Sequence, residues 1–148
     1  MKLLSFNCCA LASSRKKSSL KWLVDSTRPY VILLQETLGD MECVRKALES
    51  LCLGWCFDAL DARGHSGGLE IGWKSQACTC ENIWGFDSSM GVDLLSKELG
   101  MVMTMINIYE PYINRVLFWG TLLNKSFVKD NMFILGGDLN LYLGAVEV

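Results

Sequence analysis

Phe133-Ile134-Leu135-Gly136-Gly137-Asp138-Leu139-Asn140 is an apolar run that meets two glycines and then sets an acid and an amide two residues apart. A short continuous apolar run bounded by turn residues reads as a strand covered on both faces. The paired glycines let the backbone pass close to a neighbour or a ligand. Side chains two apart on a strand point the same way, so Asp138 and Asn140 are expected to share one patch at the strand's end. Sites in layered α/β proteins gather at such ends. Taken alone, the string also fits a buried strand closing in an Asp/Asn turn, so the decision rests on partners elsewhere in the chain.

Working outward, several apolar runs end on polar residues in the same manner. Lys2 to Asn7 reads as a first strand and Tyr30 to Gln35 as a second that leads into Glu36. Between them Leu20, Leu23 and Val24 recur at helical spacing with Trp22 alongside; Ser18 or Ser19 is the expected cap, and Pro29 ends the helix. Asp40 opens a second helix carrying Met41, Val44, Leu48 and Leu51. The middle is richer in β signals: Trp55 to Ala59, a polar loop Asp61 to Ser66, Gly68 to Trp73, Cys78 to Trp84 and Gly91 to Leu95. Met101 to Tyr109 is the longest strand candidate, and Arg115 to Leu123 is a short helix with Val116, Trp119 and Leu123 on one face. Strands and helices in this order predict an α/β layered fold.

The chain has 148 residues, enough for one ordinary domain. It is 51% hydrophobic with five Trp and a mean hydropathy of +0.25, and its charged fraction of 20% lies below the usual figure of about 25%. No apolar run approaches the roughly 18 residues that span a bilayer, so no membrane association is expected. The start Lys2-Leu3-Leu4-Ser5-Phe6-Asn7-Cys8 is a poor secretion signal, because its basic cluster Arg15-Lys16-Lys17 comes after the apolar part. Seven cysteines make neither a paired framework nor a repeated zinc-type spacing; they read as reduced thiols of an intracellular protein, with nucleus and cytoplasm not distinguished. A net charge of −2 and a pI near 5.4 mean that any DNA contact is local. Arg15, Lys16, Lys17 and Lys21 are the candidates for it.

The strand ends together supply Asn7, Glu36, Tyr109, Asp138 and Asn140. Hard oxygen donors of this kind suit Mg2+, which keeps several waters and takes one or two carboxylates. A tyrosine hydroxyl can donate to a phosphate, and an Asp beside an Asn can orient or deprotonate a water. The Gly64-x-Ser66-x-Gly68 string matches a serine-hydrolase elbow, but no histidine follows Ser66. The chain's single histidine is His65, read as a loop residue.

Six strings carry a resemblance: Leu4-Ser5-Phe6-Asn7, Leu33-Leu34-Gln35-Glu36-Thr37, Ser66-Gly67-Gly68-Leu69 with Trp73-Lys74, Ile108-Tyr109-Glu110-Pro111-Tyr112, Arg115 with Phe118-Trp119, and Gly136-Gly137-Asp138-Leu139-Asn140. In this order they resemble the endonuclease/exonuclease/phosphatase superfamily, and within it the endonuclease domain of plant LINE-type (non-LTR) retrotransposons. The resemblance implies an α/β fold, a two-sheet β-sandwich covered by helices in four layers, that performs Mg2+-dependent phosphodiester cleavage of DNA, with Mn2+ as a possible substitute. Residue by residue it implies Asn7 and Glu36 at the metal, Tyr109 and Asn140 at the phosphate, and Asp138 with Asn140 orienting the nucleophile. It also implies a downstream reverse transcriptase domain as partner. Two other readings stay open: a phosphatase of the same superfamily, and a non-catalytic remnant that binds nucleic acid or a partner.

The chain departs from the family twice. Asn7-Cys8-Cys9-Ala10 stands where these elements continue Asn-x-Arg-Gly, and the chain stops at Val148, before the Ser-Asp-His-type motif that supplies a second acid and the catalytic histidine. The expectation is therefore that residues 1–148 form the N-terminal portion of the domain, incomplete at the C-terminus. Activity is expected to fall by at least ~10³-fold, since such groups act as a unit.

Overall fold

The computed structural model describes residues 1–60, 67–124 and 132–141, with the side chain of Met41 outside that set. The polar loop with His65 and Ser66 also lies outside the described residues. Eight strands and three helices follow in the order β1 (Leu3–Asn7), α1 (Ser14–Thr27), β2 (Val31–Gln35), α2 (Met41–Leu51), β3 (Trp55–Leu60), β4 (Leu69–Lys74), β5 (Cys78–Phe86), β6 (Ser89–Ser96), β7 (Met101–Tyr109), α3 (Arg115–Leu123) and β8 (Phe133–Asp138). One sheet has strand order β1-β2-β4-β3 and the other β5-β6-β7-β8. In each, the chemistry-bearing strands run parallel: β1 with β2, and β7 with β8. Parallel pairing brings Asn7 level with Gln35 and Tyr109 level with Asp138, so four polar strand ends reach the same rim.

The sheets face each other through Val31, Leu33, Ile71 and Trp73 on one side and Val92, Leu94, Met103 and Met105 on the other. The outer face of the first sheet offers Ile32, Leu34 and Phe57 to Leu20 and Val24 of α1 and to Val44 and Leu48 of α2. The outer face of the second offers Ile106 and Ile108 to Phe118 and Leu122 of α3. The result is helix, sheet, sheet, helix, the four-layer sandwich that the motif strings implied. β2 is buried along its whole length, which explains why it reads as an unbroken apolar run. Each fully buried Leu, Ile or Met in these layers stabilises by roughly 1.5–3 kcal/mol, and a change such as Leu33→Ala would cost about 2–5 kcal/mol.

Three sequence expectations are corrected. β8 is not covered on both faces: Phe133 and Ile134 are each 38% exposed, because the strand lies at the sheet's edge and among the described residues pairs with β7 alone. α1 begins at Ser14, capped by Ser13 whose Oγ accepts from the Lys16 N–H at 3.3 Å, rather than by Ser18 or Ser19. Its first turn is polar and solvent-facing, so apolar spacing could not reveal it. The inner stripe of α3 is Phe118 and Leu122, whereas Val116 and Leu123 are exposed. An apolar helix has no polar face to betray its outside.

Asp40 caps α2 as expected, accepting from Cys43 N–H at 3.1 Å. All seven cysteines are free; Cys8, Cys52 and Cys78 pack as small apolar groups, while Cys9, Cys43 and Cys56 are exposed. Among the described residues no helix is long and apolar enough to cross a membrane.

Candidate functional site

The glycines of β8 serve the fold before they serve a ligand. Gly137 has φ +139°, and a Cβ there would lie 2.0 Å from the Ile108 carbonyl oxygen, so no other residue fits. This close approach seats the end of β8 against β7 and delivers Asp138 to the rim. There Asn7 Nδ2 donates to Asp138 Oδ2 at 2.8 Å, and the Asn140 N–H donates to Asp138 Oδ1 at 2.9 Å. Both carboxylate oxygens are thus held by neutral donors, and the first sheet is tied to the second. The Asn140 side chain turns back to donate through Nδ2 to the Glu110 carbonyl at 2.7 Å. Asp138 and Asn140 therefore do share a patch, but it is the backbone of Asn140, at φ +46°, that meets Asp138.

Glu36 and Tyr109 form a second group. Glu36 follows β2 with φ +50°, and its carbonyl accepts from the Ala10 N–H at 2.7 Å, which extends the β1–β2 register past the strand ends. Its carboxylate lies against the Tyr109 hydroxyl, with Tyr112 on the same group. Burial first, then the contact with Glu36, pushes the Tyr109 phenol well above its ordinary 10.0 and keeps it a proton donor. A cleft of about 510 Å³ opens over Ser5, Asn7, Gln35, Gly137, Asp138 and Asn140. Glu36 and Tyr109 are not among the residues that line it. The five predicted residues thus stand as a trio in the cleft and a pair beside it. A larger concavity of about 800 Å³ on the outer face of α3, lined by Tyr112, Arg115, Val116 and Leu117 among others, contains no acid.

The donors suit one kind of metal. Among the described residues no three His, Cys, Asp or Glu side chains converge as they would in a zinc-type cage. Glu36, a half-buried carboxylate one residue past the Asn7–Gln35 pair, is a hard oxygen donor of the kind that a largely hydrated divalent cation takes. Asn7 Oδ1 already accepts from the Cys9 N–H at 2.9 Å, so Glu36 would be the principal ligand.

Neither a family model nor any curated protein sequence matches the chain. Solved structures do match. Zebrafish (D. rerio) TDP2 complexed with a single-strand DNA product is similar with a TM-score of 0.73 at 15% identity, over 96% of this chain and 61% of that one. A Bacteroides thetaiotaomicron mannosyl-6-phosphatase gives 0.74 at 12%, over 95% and 66%. An endonuclease/exonuclease/phosphatase family protein from the same bacterium gives 0.74 at 12%, over 95% and 62%. The fold is that of the endonuclease/exonuclease/phosphatase superfamily. This chain spans less than two thirds of the length of each of these three structures, and the similarity at such identities concerns the fold alone.

Within that superfamily fold, sequence reasoning overlooked the supports beneath the site. Gln35 Nε2 donates to Asn107 Oδ1 at 2.6 Å, and Asn107 Nδ2 donates to the carbonyls of Leu34 at 2.8 Å and Glu70 at 3.0 Å. An amide inside an otherwise apolar strand was the available signal, since a buried polar group demands partners. Lys16 Nζ also reaches the Cys9 carbonyl, which places one α1 cation beside the Asn7 loop.

Proposed function

We propose that the strand-end site hydrolyses phosphodiesters with a divalent cation, as the DNA endonuclease of a LINE-type element. The observation that carries this reading is the doubly held Asp138 carboxylate, 2.8 Å from Asn7 and 2.9 Å from the Asn140 N–H, in an open cleft beside the Glu36–Tyr109 pair. Held in this way, Asp138 orients an attacking water and takes its proton as the new P–O bond forms. The second N–H of the Asn140 amide donates to a phosphate oxygen on which charge develops, and the Tyr109 hydroxyl does the same once Glu36 turns from it to the cation. Glu36 and Asn7 would hold Mg2+ or Mn2+, and the bound ion would supply positive charge to offset that on the phosphate. The ester P–O bond then breaks, and the departing alkoxide takes its proton from water. Lys16, with Arg15 and Lys17 on the same exposed turn, offers local phosphate contacts, and a reverse transcriptase is the partner this chemistry serves.

The test is nicking of supercoiled plasmid at excess protein with Mg2+ or Mn2+, beside Asp138→Ala and Glu36→Gln. Weak, metal-dependent nicking that disappears in both variants is the expected result, the wild-type rate itself being low. Nicking that survives EDTA or both substitutions overturns the reading. The presence of a mannosyl-6-phosphatase on this fold recommends a parallel arm with a small phosphomonoester, whose preferential hydrolysis would favour a phosphatase. Salt-sensitive DNA binding without cleavage would favour a non-catalytic binding role.

A further inference from the structure

Glu110 follows Tyr109 directly and is almost fully buried, with 1% of its surface exposed. Its backbone grips the site twice: the N–H donates to the Asp138 carbonyl at 2.8 Å, and the carbonyl accepts from Asn140 Nδ2 at 2.7 Å. Its carboxylate faces away into α3, where Trp119 Nε1 donates to Oε1 at 2.6 Å and Arg115 Nη2 lies 3.2 Å from Oε2. Arg115 and Trp119 are four apart on α3, so one helix face presents both donors. Arg115 then closes the ring by donating to the Asn140 carbonyl and, through Nε, to Pro111 at 3.4 Å.

A buried carboxylate with an Arg partner is a poor way to gain stability, because apolar residues of like volume usually serve as well. What the charge provides here is direction. The Glu110 charge attracts Arg115 at ion-pair distance without a hydrogen bond to Oε2, while Arg115 donates to the Asn140 carbonyl; Asn140 is thus held at both its amide and its carbonyl while its backbone adopts φ +46°.

We infer that Glu110, Arg115 and Trp119 form a bracket that positions Asn140, and through it the Asp138 carboxylate, for phosphoester chemistry. The catalytic part of this inference rests on the proposed function; the structural part does not. The three are positioning residues, since none of them touches the reacting atoms in that mechanism.

Glu110→Gln keeps the shape and the acceptor for Trp119 but loses the charge that holds Arg115, and Trp119→Phe keeps the ring but loses the donor. Each is expected to lower the single-turnover nicking rate by about 10–100-fold with KM for DNA unchanged, the signature of a misplaced group. In an Asn140→Ala background, Glu110→Gln should cause no further loss. The backbone and side-chain amide NMR signals of Asn140, identified by their disappearance in Asn140→Ala, should shift in both bracket variants.

A fall in Tm with unmoved Asn140 signals and an unchanged rate per folded molecule would overturn the bracket, and if Glu110→Gln does not fold, Trp119→Phe decides. A wild-type chain that does not nick removes the proposed function while the Asn140 signals still judge the bracket.

Discussion

Asn7 and Asp138 stand 131 residues apart in sequence, and the amide of the first donates to the carboxylate of the second at 2.8 Å. The bond joins the last residue of β1 to the last of β8, so it aims the acid and ties the two sheets at the rim in one step. Removing the amide frees one carboxylate oxygen to rotate. Asn7→Ala is therefore expected to slow single-turnover nicking by at least about 10²-fold, as the loss of one preorganised donor does elsewhere. Asn7→Asp should slow it at least as much, since two carboxylates within bonding distance repel. Rates and thermal unfolding measured side by side on the same preparations provide the check. Rates that match wild type in both variants would strip this bond of any part in the chemistry.

Below the rim, Asn107 should act as a strut between the sheets. Its side chain satisfies the carbonyls of Leu34 and Glu70 and accepts from Gln35, all in buried surroundings. Asn107→Leu is close in volume but leaves these groups without that partner, at a cost of about 1–3 kcal/mol for each one that finds no other. The midpoint of urea unfolding should drop accordingly. A second change, Gln35→Leu, should then cost less than it does alone, because its partner has already gone. Strict additivity of the two losses would show that the network is not coupled.

What was legible in the chain follows the same physics. β2 and β7 could be read because their apolar runs end on residues with chemistry, and Gln35-Glu36 and Tyr109 mark those ends. The four layers were implied by the motif strings, and no period in the sequence states which sheet a strand joins. The exposure of Phe133 and Ile134 could not be read, since an apolar run looks the same at an edge as in the middle of a sheet. The separation of Glu36 and Tyr109 from the cleft also escaped, because strand ends fix where a side chain starts and not where it points. Glu110, Arg115 and Trp119 were visible as parts of motif strings, but their joint grip on Asn140 depends on α3 folding back onto β7.

The loop after β1 offers a stability test. Ala10 has φ +75°, a left-handed conformation that a side chain resists by roughly 1–2 kcal/mol, and it stands where the resembled motif carries glycine. The register survives this departure, with the Ala10 N–H bonded to the Glu36 carbonyl at 2.7 Å. Ala10→Gly should relieve the strain while adding some freedom to the unfolded chain, for a net gain of about 0.5–1 kcal/mol. A higher urea midpoint with an unchanged slope is the expected outcome, and a lower midpoint would contradict the strain.

Beside it, Cys8 predicts a pH dependence. Burial chiefly, with the Glu70 charge next, pushes this thiol from 9.0 up to about 12. The unfolded chain releases the proton near pH 9, while the folded chain keeps it to about 12. The stability this supplies is complete below pH 9 and is lost as the pH climbs from there toward 12, by up to about 1.4 kcal/mol per unit. Tyr109 adds a loss of the same sign above pH 10, since its folded value is also raised. Urea unfolding at pH 8, 9 and 10 should show the decline, and Cys8→Ala should lessen it between 9 and 10, the remainder coming from Cys52, Cys78 and Cys80, whose thiols burial also raises. An undiminished slope in that variant would assign the decline to another group.

The outer side of the second sheet predicts self-association. Among the described residues β8 has no strand on its far side, and Phe133, level with Thr104 on the face that carries Ile106 and Ile108, is 38% exposed. On α3, Val116 is 88% and Leu117 70% exposed. An open strand edge with apolar side chains invites pairing with another chain, and contiguous exposed apolar surface adds to the attraction. Sedimentation velocity should therefore show concentration-dependent association, and Phe133→Lys with Leu117→Lys should shift the chain toward monomer. Because both side chains already meet solvent, each substitution should alter stability by no more than about 0.5 kcal/mol. A wild-type chain that stays monomeric at high concentration would show that these side chains do not drive association.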